Sequence, residues 1–305
     1  MNFSNQNHSE NYIVLGTAQF GSNYGITNEN NILHSEAREI LEFAQSVNIN
    51  SLDTAYSYQN SESIIGSSYP LSCNFKISSK FPSQSDKYFS KDSKEQWNNI
   101  FKTSLLRLKI SSLDTYFIHN INDLKKDGRD LLLEWLLDLK QEGLIRRIGL
   151  SIYNKSDLSG IYLDNFDIVQ LPLSIYDQTF INNNTIKYLN DIGLKIQARS
   201  IFLQGIILQR IDKLPDFFSN EFKQHHHNFY NHLKNLDAHA SEYAISFIRS
   251  INEIDSFVVG ISSIKELKKL YSSFIKSQIF YSSDFDAWHW SIKQDLDPRN
   301  WNLSN

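Results

Sequence analysis

Asp53 and Tyr58 in SLDTAYSYQNSE, Lys80 in FKISSKF and His119 in DTYFIHN are, in type and in order, a set suited to reducing a carbonyl group. A phenol is a weak acid near neutral pH, with a reference pKa of about 10. A neighbouring ammonium favours the phenolate and so makes the phenol a better proton donor. Lowering that pKa by about 2 units takes roughly 3 kcal/mol, which one close lysine in a shielded site can supply. The lysine must itself stay charged, and an adjacent carboxylate promotes that. An imidazole can hydrogen-bond the substrate oxygen and orient it, or relay a proton. Tyr56 competes with Tyr58 for the phenol role, but the five-residue step from Asp53 and the following Ser61 and Glu62 favour Tyr58.

These side chains meet only if the elements that carry them end at a common place. Eight short apolar runs read as strands: Ile13 to Thr17, Ser51 to Ala55, Phe75 to Phe81, Thr115 to His119, Arg147 to Ile152, Ile168 to Leu173, Lys195 to Phe202 and Phe257 to Ile261. Several, such as IVQLPL and SFVVGI, are apolar on both faces, which suits parallel strands covered on both sides. Amphipathic patterns between them predict helices from Ser35 to Asn48, Trp97 to Leu108, Gly128 to Glu142, Asn182 to Ile192, Ala238 to Asn252 and Ser263 to Lys276. Gly143 and Gly193 provide natural stops. Strand–helix alternation over 305 residues predicts an α/β fold, a (β/α)8 TIM barrel, with residues 1–305 as a single domain. A doubly wound sheet is the rival, weakened because no GxGxxG follows the first strand. In the barrel, the C-terminal strand ends share one mouth, and Asp53, Lys80 and His119 close the second, third and fourth strands. Two stretches fall outside the repeat. Leu203 to Asn235 makes a long seventh βα loop, and residues 282–305 form a tail, rich in tryptophan, expected over the barrel mouth.

Composition narrows the function class. With 41% hydrophobic residues, 21% charged residues and a net charge of -4, the chain can bury a core and offers no electrostatic footprint for nucleic acid. Cys73 is the only cysteine, so an intrachain disulfide and a Cys-rich zinc site are both excluded. No run approaches the ~20 apolar residues of a membrane span, and MNFSNQNHSE lacks the apolar stretch of a secretory signal. A cytoplasmic protein with neither a nucleic-acid nor a membrane partner is expected. His225, His226 and His227 invite a metal reading, but adjacent residues do not converge easily on one ion, so a solvated loop without metal is expected there. Tyr24 is equally suited to contacting substrate or to packing. Trp288 and Trp290 would share a face in extended chain, suited to a sugar ring or to packing, while Trp97, Phe101 and Trp135 read as core.

The segments LGTAQFGSNYG, SLDTAYSYQNSE, SSKF and YFIHN, followed by IRRIGLSIYN, DIVQLPLSIYDQ, ARSIFLQGIIL and VVGISSIKELKKL, resemble in order the aldo-keto reductase superfamily, from about Tyr12 to Leu270. The tail, with DPRNW, is similar to that of bacterial members associated with sugar and polysaccharide biosynthesis. The resemblance implies an NAD(P)-dependent oxidoreductase that holds an extended nicotinamide cofactor without a Rossmann domain. Tyr58 would be the proton donor, Lys80 would tune it, Asp53 would hold Lys80 and touch the nicotinamide ribose, and His119 would place a small-molecule carbonyl substrate, an aldehyde or ketone of sugar origin. Thr17, Asp53, Ser151 and Gln170 would meet the nicotinamide end. Gln170 supports this, because an amide inside an apolar strand needs partners. Arg199 stands where an aromatic residue commonly stacks on the ring, and would stack or bind an anionic substrate group. Ser200, Leu203 and Gly205 match the segment that follows the pyrophosphate, and Ser262 and Ser263 open the helix near the adenosine phosphate. Three positions depart from the family: Ile152 replaces an asparagine, Glu266 takes the place of a 2′-phosphate-binding Arg or Gln, and Lys269-Leu270 replaces a Glu-Asn pair. Glu266 would suit a ribose 2′-hydroxyl, with Lys265, Lys268 or Lys269 able to compensate. NADP(H) is therefore expected on family grounds, with NAD(H) as the rival. The alternatives are an NAD-dependent biosynthetic enzyme acting on a sugar intermediate, or a non-catalytic cofactor-sensing subunit, for which a complete tetrad would be superfluous.

Overall fold

Apolar runs buried on both faces form eight short strands: β1 (Ile13–Gly16), β2 (Ser51–Asp53), β3 (Lys76–Phe81), β4 (Leu113–Ile118), β5 (Ile145–Ser151), β6 (Ile168–Pro172), β7 (Lys195–Arg199) and β8 (Ser256–Gly260). In the computed structural model, which describes residues 12–20, 32, 34–68, 75–277 and 283–301, they pair in chain order and β1 closes on β8. Every pairing is parallel, so all C-terminal strand ends face one way. This is a (β/α)8 TIM barrel, as the alternating pattern predicts. Tyr24 and Cys73 lie outside the described residues.

The helices are α1 (His34–Ser46), α2 (Ser61–Ser68), α3 (Ser93–Leu108), α4 (Arg129–Gln141), α5 (Thr179–Asn182), α6 (Thr185–Asp191), α7 (Asn220–Asn235), α8 (Ala240–Arg249) and α9 (Ile264–Lys276). They bury the faces that the periodicity marks; in α4, for example, Leu132, Trp135, Leu136 and Leu139 turn inward. Trp97, Phe101 and Trp135 are core residues and meet edge-on or tilted around Phe81 and Tyr116. Helix α2 escapes the pattern because it is short and carries serine and glycine. Its Gly66 is required: a Cβ there would lie 2.1 Å from the Arg107 carbonyl oxygen of α3. Between β5 and β6 the alternation lapses, and two 3-10 turns, Lys155–Leu158 and Leu163–Asn165, replace the helix.

The long seventh connection is not a solvated loop. Ser219 caps α7 by accepting from the Phe222 amide at 3.1 Å. Phe222, His226, Phe229 and Leu233 then recur on one buried face. His226 is fully buried: its Nε2 donates to the Gln209 carbonyl and its Nδ1 accepts from the Tyr176 hydroxyl, both at 2.8 Å. The histidine run is thus a helix face with one core member, rather than exposed polar chain.

The tail packs on this helix. After α10 (Ser283–Asp286), Trp288 lies against Phe229 and His232, and Trp290 against Phe222 and His225. The Trp290 amide donates to the Tyr176 carbonyl at 2.8 Å. Both indoles therefore pack, against the reading of a sugar-binding face. Helix α11 (Lys293–Leu296) and the turn Pro298–Asn300 follow. Among the described residues no helix is long and apolar enough to cross a membrane.

Candidate active site

Asp53 is the last residue of β2, Lys80 the penultimate residue of β3, and His119 follows β4 directly, so three consecutive strands deliver them to the same end of the barrel. Tyr58 comes from the loop after β2, which is fastened at its far end. Ser61 donates to the Thr17 carbonyl at 2.8 Å and meets the Thr54 hydroxyl at 2.9 Å. Thr17 in turn donates to the Asp53 carbonyl at 3.0 Å. The Thr17 hydroxyl thus knits strand ends together. Tyr56 lies outside the cleft, under the Arg107 guanidinium at 4.7 Å.

Asp53, Tyr58, Lys80 and His119 line one cleft, together with Thr17, Ser151, Gln170, Arg199, Ser200, Gly205 and Glu266. The cleft holds a cavity of about 170 Å³ and opens to solvent at its mouth. Leu203 does not face it: its buried side chain lines a neighbouring cavity beneath the tail. Ser262 and Ser263 lie beside the cleft rather than in its wall. The Ser263 hydroxyl accepts from the Glu266 amide and caps α9, while Glu266 Oε2 accepts from the Ser262 amide and hydroxyl at 2.7 and 2.6 Å. Ile152 is buried in the core, so it offers the cleft no polar side chain.

Lys80 is 1% exposed and its ammonium binds both Asp53 oxygens, at 2.7 and 2.5 Å, and the Thr54 carbonyl at 2.9 Å. Gln170 Nε2 donates to Asp53 at 3.0 Å and to Gln197 at 2.7 Å, and Gln197 reaches Ser256 at 3.2 Å. The Lys80 ammonium sits 5.0 Å from the centre of the Tyr58 ring, and the Tyr58 and His119 rings meet edge-on at 5.9 Å. The phenol is pushed up rather than down, by burial first and by the Asp53 carboxylate second, with Arg199 opposing. The expected lowering is not seen, because burial outweighs the nearby cations and the Asp53 carboxylate adds to it. His119 is pushed down to about 3, by burial first and then by the charges of Lys80 and Arg199. Both groups are therefore neutral at physiological pH.

Two features of the wall were not legible as site residues. Gln19 lines the cleft with a buried Oε1 that has no hydrogen-bond partner among the described residues, and it lies across Gly260, where a Cβ would come within 2.7 Å of its amide. A buried acceptor of this kind fits a ligand that brings its own N–H or O–H donors. Tyr153 carries two guanidiniums, that of Arg199 at 4.1 Å and that of Arg299 from the tail at 3.6 Å. Neither residue type has a spacing signal in sequence.

The same barrel is found in solved structures. An aldo-keto reductase from Bacillus halodurans in its holo form superposes with a TM-score of 0.69 at 21% identity, covering 96% of this chain and 94% of that one. In sequence, the uncharacterized oxidoreductase YqkF of Bacillus subtilis is 24% identical over 254 residues, 77% of this chain and 81% of that protein. Oxidoreductase sirO of Leptosphaeria maculans is 23% identical over 212 residues, 66% of this chain and 63% of that protein. The sequence model of the Aldo/keto reductase family matches residues 12–287. The chain belongs to the aldo/keto reductase family, whose members interconvert carbonyls and alcohols.

Proposed function

We propose that the chain is an NADP(H)-dependent oxidoreductase that interconverts a small aldehyde or ketone and its alcohol, with Tyr58 as the proton donor. The observation that carries this reading is the convergence of Asp53, Tyr58, Lys80 and His119 on one cleft. A bound reduced nicotinamide supplies the hydride. Tyr58, its phenol raised by burial, keeps its proton until the carbonyl oxygen gains negative charge. Lys80 and Arg199 are the cations that stabilise the phenolate as it forms. Neutral His119 offers one ring N–H to the same oxygen, and Ser57 steadies it with a hydroxyl 3.3 Å from Nδ1. Thr17, Ser151, Gln170 and Ser200 would hold the nicotinamide end with Gln19, whose oxygen has no partner among the described residues and suits a donor. Gly205, Ser262 and Ser263 would flank the phosphates.

The adenosine end favours a phosphate. A cavity that shares Phe202, Leu208, Val259 and Glu266 with the cleft is lined by Arg210, Lys234, Lys265 and Lys269. Against these cations stands Glu266, which its bonds to Ser262 partly satisfy. That carboxylate is the specific observation on the side of NAD(H) as the second reading. Fluorescence titration with NADPH and NADH, followed by a panel of aldehydes and ketones, tests both. Tighter binding of NADPH and turnover of a carbonyl are expected. Binding of neither dinucleotide would overturn the redox reading. Glu266→Arg should shift preference further toward NADPH; unchanged relative affinities would mean that Glu266 does not face the ribose.

A further inference from the structure

Arg199 is a cation in the catalytic cleft that no carboxylate contacts among the described residues. It closes β7 and lines both the cleft and the smaller cavity beneath the tail. Its Nη2 donates to the Ile152 carbonyl at 3.2 Å and its Nη1 to the Ser200 hydroxyl at 3.4 Å. A guanidinium has five N–H donors, so among the described residues three remain without an acceptor and none meets a carboxylate. Asp297 lines the smaller cavity with Arg199 and feels its charge, but both its oxygens are bound by Arg299. Asp53 and Lys80 cancel each other at contact distance, and Tyr58 and His119 stay neutral. Among the groups beside Tyr58, Arg199 is thus the cation that no contact matches.

What holds Arg199 is a ring rather than a counter-ion. Its guanidinium stacks on Tyr153 at 4.1 Å, and Arg299 stacks on the same ring at 3.6 Å. Asp297 grips Arg299 through two parallel contacts, Nε to Oδ1 at 2.9 Å and Nη2 to Oδ2 at 2.5 Å. The Tyr153 backbone is fixed by Asp157, which accepts from its amide at 2.7 Å. A carboxylate would also have positioned Arg199, but it would have spent the charge. A π face positions a guanidinium and leaves its charge and its fork of donors available.

We propose that Arg199 binds a carboxylate on the carbonyl substrate, so that the substrate class is an oxo acid or an oxidised sugar acid, and that Arg299 in the tail is the residue that positions Arg199 for it. The inference rests on the carbonyl-reductase reading above. The cofactor's own phosphates are the other source of anionic oxygen. They have Lys234, Lys265 and Lys269 at the far cavity, whereas Arg199 shares its end of the cleft with Tyr58 and His119.

The test is a matched set of carbonyl substrates: butanal against 4-oxobutanoate, and D-glucose against D-glucuronate and D-glucose 6-phosphate. The unmodified protein should prefer the carboxylate member by about 10- to 100-fold in kcat/KM, the range expected of a charge-assisted contact. Arg199→Met should collapse that ratio. Arg299→Met should reduce it through KM for the carboxylate substrates, because binding common to ground and transition state is what is lost. A merely structural Arg299 would instead lower stability and the turnover of both members alike, leaving the ratio unmoved. Equal use of neutral and carboxylate substrates, a preference for the phosphate ester, or a ratio that survives Arg199→Met each overturns the proposal while carbonyl reduction stands. In an NADPH titration, a loss of cofactor binding in Arg199→Met that exceeds the loss of discrimination would assign Arg199 to the cofactor instead. No turnover of any member by the unmodified protein would overturn the carbonyl reading, and this one with it.

Discussion

Burial keeps the Tyr58 proton in place and keeps one off His119, and both facts are testable. Tyr58→Phe removes the proposed proton donor while leaving the shape of the cleft. Turnover should fall by about 10²- to 10⁴-fold with NADPH binding nearly intact; full activity in that variant would remove Tyr58 from the mechanism. His119 sits at about 3 in the folded protein, against about 6.5 in an unfolded chain. Between those values the unfolded chain takes up a proton that the folded imidazole refuses, so stability rises with pH across the window. The contribution is fully present above about pH 6.5 and drains away as pH falls toward the folded value. His119→Gln should therefore lose less stability than the unmodified protein between about pH 6.5 and 4, as read by urea denaturation. The same shift predicts no inflection of kcat/KM from an imidazolium across about pH 5 to 8. That these residues share one cleft was legible in sequence because strand ends carry three of them to one mouth. The direction of the Tyr58 shift was not, because it depends on how closely Asp53 matches the lysine's charge and on how deeply the phenol is buried.

The eight strands were readable because a strand covered on both faces must be apolar throughout, and IVQLP and SFVVG leave little else to be. Helix α7 was hidden by its own composition. Phe222, His226, Phe229 and Leu233 have helical spacing, but a buried histidine scores as polar and interrupts the stripe. The signal that could have found it is Ser219 three residues before Phe222, a capping position. The tail followed α7 into obscurity, because Trp288 and Trp290 can be assigned a packing face only once that helix exists. His226 is the element's keystone in a measurable sense. His226→Leu would leave the Gln209 carbonyl and the Tyr176 hydroxyl buried without partners. The expected cost is about 2–4 kcal/mol, one lost partner each, read from denaturant midpoints. A neutral outcome would mean that water reaches both groups and that α7 packs more loosely than its aromatic contacts indicate.

A polar chain runs across the inside of the barrel, from Ser256 on β8 through Gln197 and Gln170 to Asp53 on β2 and Lys80 on β3. It follows the register: Ser151, Gln170 and Gln197 are direct neighbours on β5, β6 and β7, and Gln197 faces Ser256. An apolar filling of the same volume would be cheaper, since a buried ion pair seldom repays its desolvation. In the proposed mechanism the pair has a use, because a charged, immobile lysine beside Tyr58 supports the phenolate as it forms. This separates stability from activity in a definite way. Asp53→Asn preserves an acceptor for Gln170 but leaves the Lys80 ammonium buried without a counter-charge, and should cost about 3–5 kcal/mol. Adding Lys80→Met removes the stranded charge. The double variant should recover much of that loss in urea denaturation while remaining inactive toward every carbonyl. If Asp53→Asn alone were as stable as the unmodified protein, water would have to reach the Lys80 ammonium, and the site would not be the shielded one that the phenolate needs. If the double variant were the less stable of the two, the ion pair would be holding the barrel mouth together rather than serving the chemistry.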